Sequence, residues 1–105
     1  MTTKYTFFVG LNDKDTRTQN ITTLAARDIV ERIFISHKVE GATISEGRGV
    51  YRYENGDISG ETTLIVTVFI FGEDINVSAI CSDLKTILNQ ESIAVEKRET
   101  ESALY

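Results

Sequence analysis

The sequence predicts an α+β domain in the order β-α-β-β-α-β, a four-stranded antiparallel sheet with both helices on one face. Three observations carry that expectation. Two stretches repeat apolar residues at three- and four-residue steps, the helical period. Four others are β-branched or aromatic runs closed by glycine, asparagine or polar residues. Their alternation, joined by short connections and right-handed crossovers, leaves one simple topology, the ferredoxin-like split βαβ. At 105 residues the chain fits one domain, expected over 1–97 with a polar tail at 98–105.

Residues 4–9, KYTFFV, form the first strand and Gly10 closes it. The polar connector LNDKDTRTQN follows at 11–20. From Ile21 to His37 the residues Ala26, Ile29, Val30, Ile33, Phe34 and His37 make an apolar helix face opposite Arg27, Asp28, Glu31 and Arg32. Asn20 or Thr22 caps its start, and Gly41 is the expected stop. Strand two spans 42–54, the turn 55–60 uses Asn55-Gly56 for positive φ, and strand three is ETTLIVTVFIF at 61–71. After Gly72-Glu73-Asp74, a second helix runs from Asn76 to Asn89 on Val77, Ile80, Cys81, Leu84, Ile87 and Leu88, capped by Asp74 or Asn76. Residues 91–96 form the fourth strand; the last residues read as a loose tail whose Leu104-Tyr105 can dock on a neighbour.

Strand three also bears on assembly. Two helices cover one sheet face, so the other should alternate with polar residues. Instead Leu64, Val66, Val68 and Ile70 are opposed by Ile65, Phe69 and Phe71, and Phe8 adds to the second set. Such a patch is large for a monomer. A homo-oligomer, dimer or trimer, packing sheet face to sheet face is expected; the competing arrangement folds a loop or the tail over that face.

The totals exclude several classes. Hydrophobic residues make up 41% and charged residues 26%, ordinary values for a water-soluble domain. No apolar run approaches the ~20 residues of a membrane span, and the start MTTKYTFFVG is too short in apolar residues for a signal core. A cytoplasmic protein is expected. Net charge is −5 and no basic stripe is visible, which argues against nucleic-acid polymers. Cys81 is the sole cysteine and His37 the sole histidine, so no disulfide, multi-cysteine site or two-histidine metal site can form within the chain. Cys81 reads as a buried structural thiol and His37 as a helix-end residue. No catalytic residue, metal or cofactor is assigned.

One cluster suits a ligand. Gly47, Arg48 and Gly49 precede Tyr51, Arg52 and Tyr53. Strand parity places Arg48 and Arg52 on one face and the glycines with the tyrosines on the other. Glycines within a strand mark a bulge or a close approach; Arg48 and Arg52 can present planar forks to an anion, and a flat ring can stack on the tyrosines. In the connector, Asn12 and Arg17, with Lys14, can line a cleft. The plain alternative is a bulged hairpin whose arginines pair with Glu46, Glu54 or Glu61.

Topology, size and the long strand two–strand three hairpin resemble the PII-like and CutA-like group of ferredoxin-like proteins. That resemblance implies trimers holding nucleotides or small ligands between subunits. The chain is also similar to a family of small uncharacterised bacterial proteins with D-G-x-T, G-x-G, an aromatic, a Glu before an apolar strand, and Q-E-S-V. The matching residues are Glu40-Gly41-Ala42-Thr43, Gly47-Arg48-Gly49, Tyr51, Glu61 and Gln90-Glu91-Ser92-Ile93; the family's proline before the glycine is missing. It implies the fold and no activity.

The functional expectation is a non-enzymatic oligomer binding a small anionic, nucleotide-like molecule between subunits, as a sensor or a viral sequestering protein. The alternatives are a protein-interaction module using the sheet face or the hairpin, and a small ferredoxin-like monooxygenase or isomerase acting through His37 or a tyrosine.

Overall fold

The structure is a computed structural model that describes residues 2–105. Its elements are β1 (Thr2–Gly10), α1 (Thr23–Ser36), β2 (Thr43–Arg52), β3 (Ile58–Ile70), α2 (Val77–Ile87) and β4 (Ala94–Thr100). The strands form one antiparallel sheet in the order β2-β3-β1-β4. The expected α+β, ferredoxin-like architecture is the observed one.

Strand parity builds the core. Tyr5, Phe7 and Val9 of β1 and Leu64, Val66 and Val68 of β3 are buried against Ala26, Val30, Ile33 and Phe34 of α1 and Ile80 and Leu84 of α2. The Phe7 ring meets Phe34 edge-on, with centroids 5.0 Å apart. Tyr5 is buried too, and its hydroxyl donates to Asp74 Oδ1 at 3.0 Å, so the polar tip of the ring is satisfied.

Thr22 caps α1 by accepting the Ala25 N–H at 3.1 Å, and Asn76 caps α2 by accepting the Ala79 N–H at 3.0 Å. The helix stops differ from expectation. Gly41 plays no part; α1 ends at Ser36, five residues short of it, and just beyond that end Lys38 takes a left-handed φ of 61°. Lys38 N–H bonds to Ile35 O at 3.0 Å and Val39 N–H to Phe34 O at 3.2 Å, the paired pattern of a Schellman close with Val39 as its apolar contact. Asn89, at φ 50°, ends α2 in the same way, with Gln90 N–H on Lys85 O at 3.0 Å. A lysine in the left-handed region carries a Cβ penalty that glycine avoids. Lys38→Gly is therefore expected to raise stability by about 0.5–1 kcal/mol, measured as a higher urea midpoint at unchanged slope.

Three further boundaries are corrected. The hairpin turn is tighter than 55–60: Tyr53 N–H reaches Asp57 O, Gly56 sits at φ 92°, and Ile58 already pairs with Arg52. The β2–β3 ladder is continuous from Thr43↔Thr67 to Arg52↔Ile58, so Gly47-Arg48-Gly49 forms no bulge. β4 runs on to Thr100, pairing Lys97, Arg98 and Glu99 with β1, so those residues are strand and not loose tail. No helix among the described residues is long and apolar enough to cross a membrane.

The sheet face away from the helices stays open. Phe8 is 40% and Phe69 44% exposed, and Phe69 stacks with Phe71 at 6.3 Å between centroids. Leu104 and Tyr105 are exposed, so the tail does not pack over this face.

Candidate functional site

A cavity of about 540 Å³ lies on the open face at the end of the sheet where β1 leaves for α1. The register explains its shape. Gly10 pairs with Thr63, Gly47 with Thr63 on the other side, and Gly49 with Glu61, so three glycines surround the lower half of β3. Each leaves room for a β3 side chain. A Cβ on Gly10 would meet the Glu61 carboxylate at 2.5 Å, one on Gly49 would meet Thr63 Oγ1 at 2.9 Å, and one on Gly47 would meet Ile65 Cδ1 at 3.1 Å. The glycines therefore admit their own neighbours first.

The expected residues divide. Gly47, Gly49, Tyr51 and Tyr53 border the cavity, as does Asn12. Tyr51 and Tyr53 meet edge-on at 4.9 Å. Arg48 also borders it, but its guanidinium lies over Gly60, on the helix side of the hairpin. Arg52 is exposed and outside the cavity. Arg17 lies outside it as well; its guanidinium carbon sits 3.8 Å above the Tyr53 ring. The only ion pairs between side chains among the described residues are Arg27–Glu46, Arg32–Asp28 and His37–Asp83. Arg48 and Arg52 thus form none of the pairs with Glu46, Glu54 or Glu61 that belong to the plain hairpin alternative.

Other residues complete the site. Phe8, Ile65 and Ala94 make its apolar floor, since Phe8 pairs with Ile65 on one side and Ala94 on the other. Glu61 stands beside them with one hydrogen bond, from the Asn12 N–H to Oε2 at 3.1 Å. Gln90, Glu91 and Ser92 close the far side. The Q-E-S segment and Glu61 were visible as motif positions. Phe8 and Gly10 carried no local signal, because only the β1–β3 pairing brings them to the site.

The connector 11–20 is ordered by its own polar groups. Asp13 accepts from Asn89 Nδ2 at 2.9 Å and from the N–H groups of Asp15 at 2.8 Å and Thr16 at 3.2 Å. These bonds, the Asn89 one foremost, hold the Asp13 carboxyl below its ordinary 3.8. Because the folded value is depressed, this tethering is complete above 3.8 and is lost as pH falls through the lower folded value. Acid titration should shift the amide resonances of Asp15 and Thr16 below pH 3.8, and Asp13→Asn should abolish that titration.

His37 and Cys81 lie elsewhere. His37 Nε2 is 2.6 Å from Asp83 Oδ2, joining the end of α1 to α2. Cys81 is half-buried rather than fully buried, and burial pushes its thiol pKa up despite Lys85 nearby, which makes a poor nucleophile. No cluster of three or more metal-binding side chains occurs among the described residues.

No family model and no curated protein matches the chain. Solved structures do. A phage SAM lyase in complex with S-methyl-5'-thioadenosine has 24% identity and a TM-score of 0.71, over 93% of this chain and 81% of that one. The same kind of enzyme in the apo state gives 23% and 0.69, over 91% and 78%. A B. subtilis GlnK–ATP complex gives 12% and 0.56, over 92% and 84%. The likeness is one of fold, and with GlnK it bears out the PII-like resemblance.

Proposed function

We propose that the open-face cavity binds a sulfonium nucleoside of the S-adenosylmethionine class, and that a second copy of the chain roofs it. One observation carries this reading: the Glu61 carboxylate borders an apolar floor with no cation within ion-pair distance among the described residues. A carboxylate so placed favours a positive centre on the ligand. Asp13, Glu61 and Glu91 also outnumber Lys14 and Arg48 around the cavity, which supports the anionic ligand expected from Arg48 and Arg52 less well. The phage enzyme of similar fold is named for S-adenosylmethionine and was solved with a nucleoside thioether. The half-exposed Phe8 and Phe69 supply the apolar surface for the second copy.

The same similarity favours a second step, turnover. S-methyl-5'-thioadenosine is what remains of S-adenosylmethionine when the aminocarboxypropyl group leaves sulfur. In a lyase here the ligand's own carboxylate would close on the carbon that sulfur held, the C–S electron pair would stay on sulfur, and the nucleoside and a lactone would be released. Binding without turnover would make the protein a sensor or a sequestering agent. Calorimetry with S-adenosylmethionine and with ATP, chromatography of the incubated mixture, and light scattering test the reading together. Binding of S-adenosylmethionine by an oligomer is expected, with the nucleoside product marking turnover. A monomer that binds neither compound overturns the proposal, and tighter binding of ATP returns the ligand to the anionic class.

A further inference from the structure

We infer that Gln90 selects the base of the ligand, its Oε1 accepting a hydrogen bond from an exocyclic amine such as that of adenine. The inference rests on the nucleoside reading above and deepens it. Gln90 is 9% exposed and borders the cavity. Its backbone is fixed as the third residue past the end of α2, with its N–H on Lys85 O. Its side chain is fixed as well. Nε2 donates to Asn12 O at 2.7 Å and to Leu88 O at 3.3 Å.

Two carbonyl partners decide which end of the amide is which. A carbonyl only accepts, so the nitrogen must face both and the oxygen must point away. No donor among the described residues reaches Oε1, and no sealed, unpartnered side-chain oxygen or nitrogen exists among them. Oε1 is therefore not sealed off, and Gln90 lines the cavity, which is where the proposed role sets this free acceptor. A nearly buried amide with both donor hydrogens engaged presents one fixed acceptor there. Its match is a ligand N–H.

The floor places the base. Phe8, flanked by its pairing partners Ile65 and Ala94, offers a flat apolar bed on the side of the cavity that Gln90 and Ser92 close. Gly10, whose missing Cβ admits the Glu61 carboxylate, is two residues along β1 from Phe8, about 7 Å at the rise of a strand. A base on Phe8 with its amine toward Gln90 leaves the rest of the nucleoside running toward Glu61.

The test compares S-methyl-5'-thioadenosine with its counterpart in which hydrogen replaces the exocyclic amine. Calorimetry should show the wild-type chain binding the amine about tenfold more tightly. Gln90→Met should bring that ratio near one, whereas Gln90→Glu, which keeps an acceptor, should preserve it even if the connector loosens. A wild-type crystal structure with the thioadenosine should place the amine within hydrogen-bond distance of Oε1, whatever the variants do. A wild-type ratio near one, a ratio unchanged in Gln90→Met, or an amine bonded elsewhere overturns the role of Gln90 and leaves the site standing. Failure of the wild type to bind either compound overturns both this inference and the nucleoside reading.

Discussion

Glu61→Gln should weaken binding of S-adenosylmethionine at least tenfold while leaving the thermal midpoint nearly unchanged. The substitution keeps the shape and the bond from Asn12 N–H and removes one negative charge. A tenfold loss corresponds to about 1.4 kcal/mol, well inside the ~4 kcal/mol that unit charges 4 Å apart exchange near a protein surface. The neutral thioether S-methyl-5'-thioadenosine is the control, since it has no sulfonium, and its affinity should fall much less. Gly10→Ala attacks the same carboxylate by geometry: the new Cβ would lie 2.5–2.7 Å from its atoms, so the carboxylate must move. That variant should weaken the sulfonium ligand as well. Calorimetry on the two variants and two ligands decides it; equal losses for both ligands would remove the charge argument.

Phe7→Ala should cost about 3–5 kcal/mol of folding stability, enough to unfold much of a marginal domain. Phe7 is fully buried and meets Phe34 at 5.0 Å, so truncation loses both transfer energy and packing partners. Phe8→Ala, one residue on, should cost the isolated chain far less because that ring is 40% exposed. Urea titration separates the two, with the slope held constant as the check on two-state unfolding. If Phe8→Ala is instead strongly destabilising, and the loss depends on protein concentration, the second copy is what covers the ring.

The fold was legible because alternation and helical period both report burial directly. Phe7 against Phe8 and Leu64 against Ile65 already separate the two sheet faces. The boundaries were less legible where sequence and burial part company. β4 reads AVEKRET, and an edge strand rich in charge looks like a tail until its pairing with β1 is seen. Lys38 stops α1 because its terminal hydrogen-bond pattern outweighs a conformational preference that would favour Gly41. Within the site, strand parity placed Gly47, Gly49, Tyr51 and Tyr53 on the cavity side. It could not bring in Phe8, Gly10 or Gln90, which arrive through pairings and hydrogen bonds between distant parts of the chain. Parity alone also does not locate the Arg48 head group, which lies in the gap above Gly60, a neighbour across the hairpin that only register reveals.

The three glycines around β3 have a consequence for how the chain finds its alignment. Glu61, Thr63 and Ile65 fit over Gly10, Gly49 and Gly47 as teeth fit notches. Sliding β2 by two residues would keep every side chain on its proper face, so the apolar pattern alone does not forbid it. The notches on β2 oppose it, since such a slip would set Thr63 against Tyr51 in one direction or Ile65 against Ser45 in the other, while Glu61 stays over Gly10 of β1. The glycines thus work as a key for the sheet during folding, and filling two of them at once should yield misaligned, aggregation-prone hairpins before it alters any chemistry.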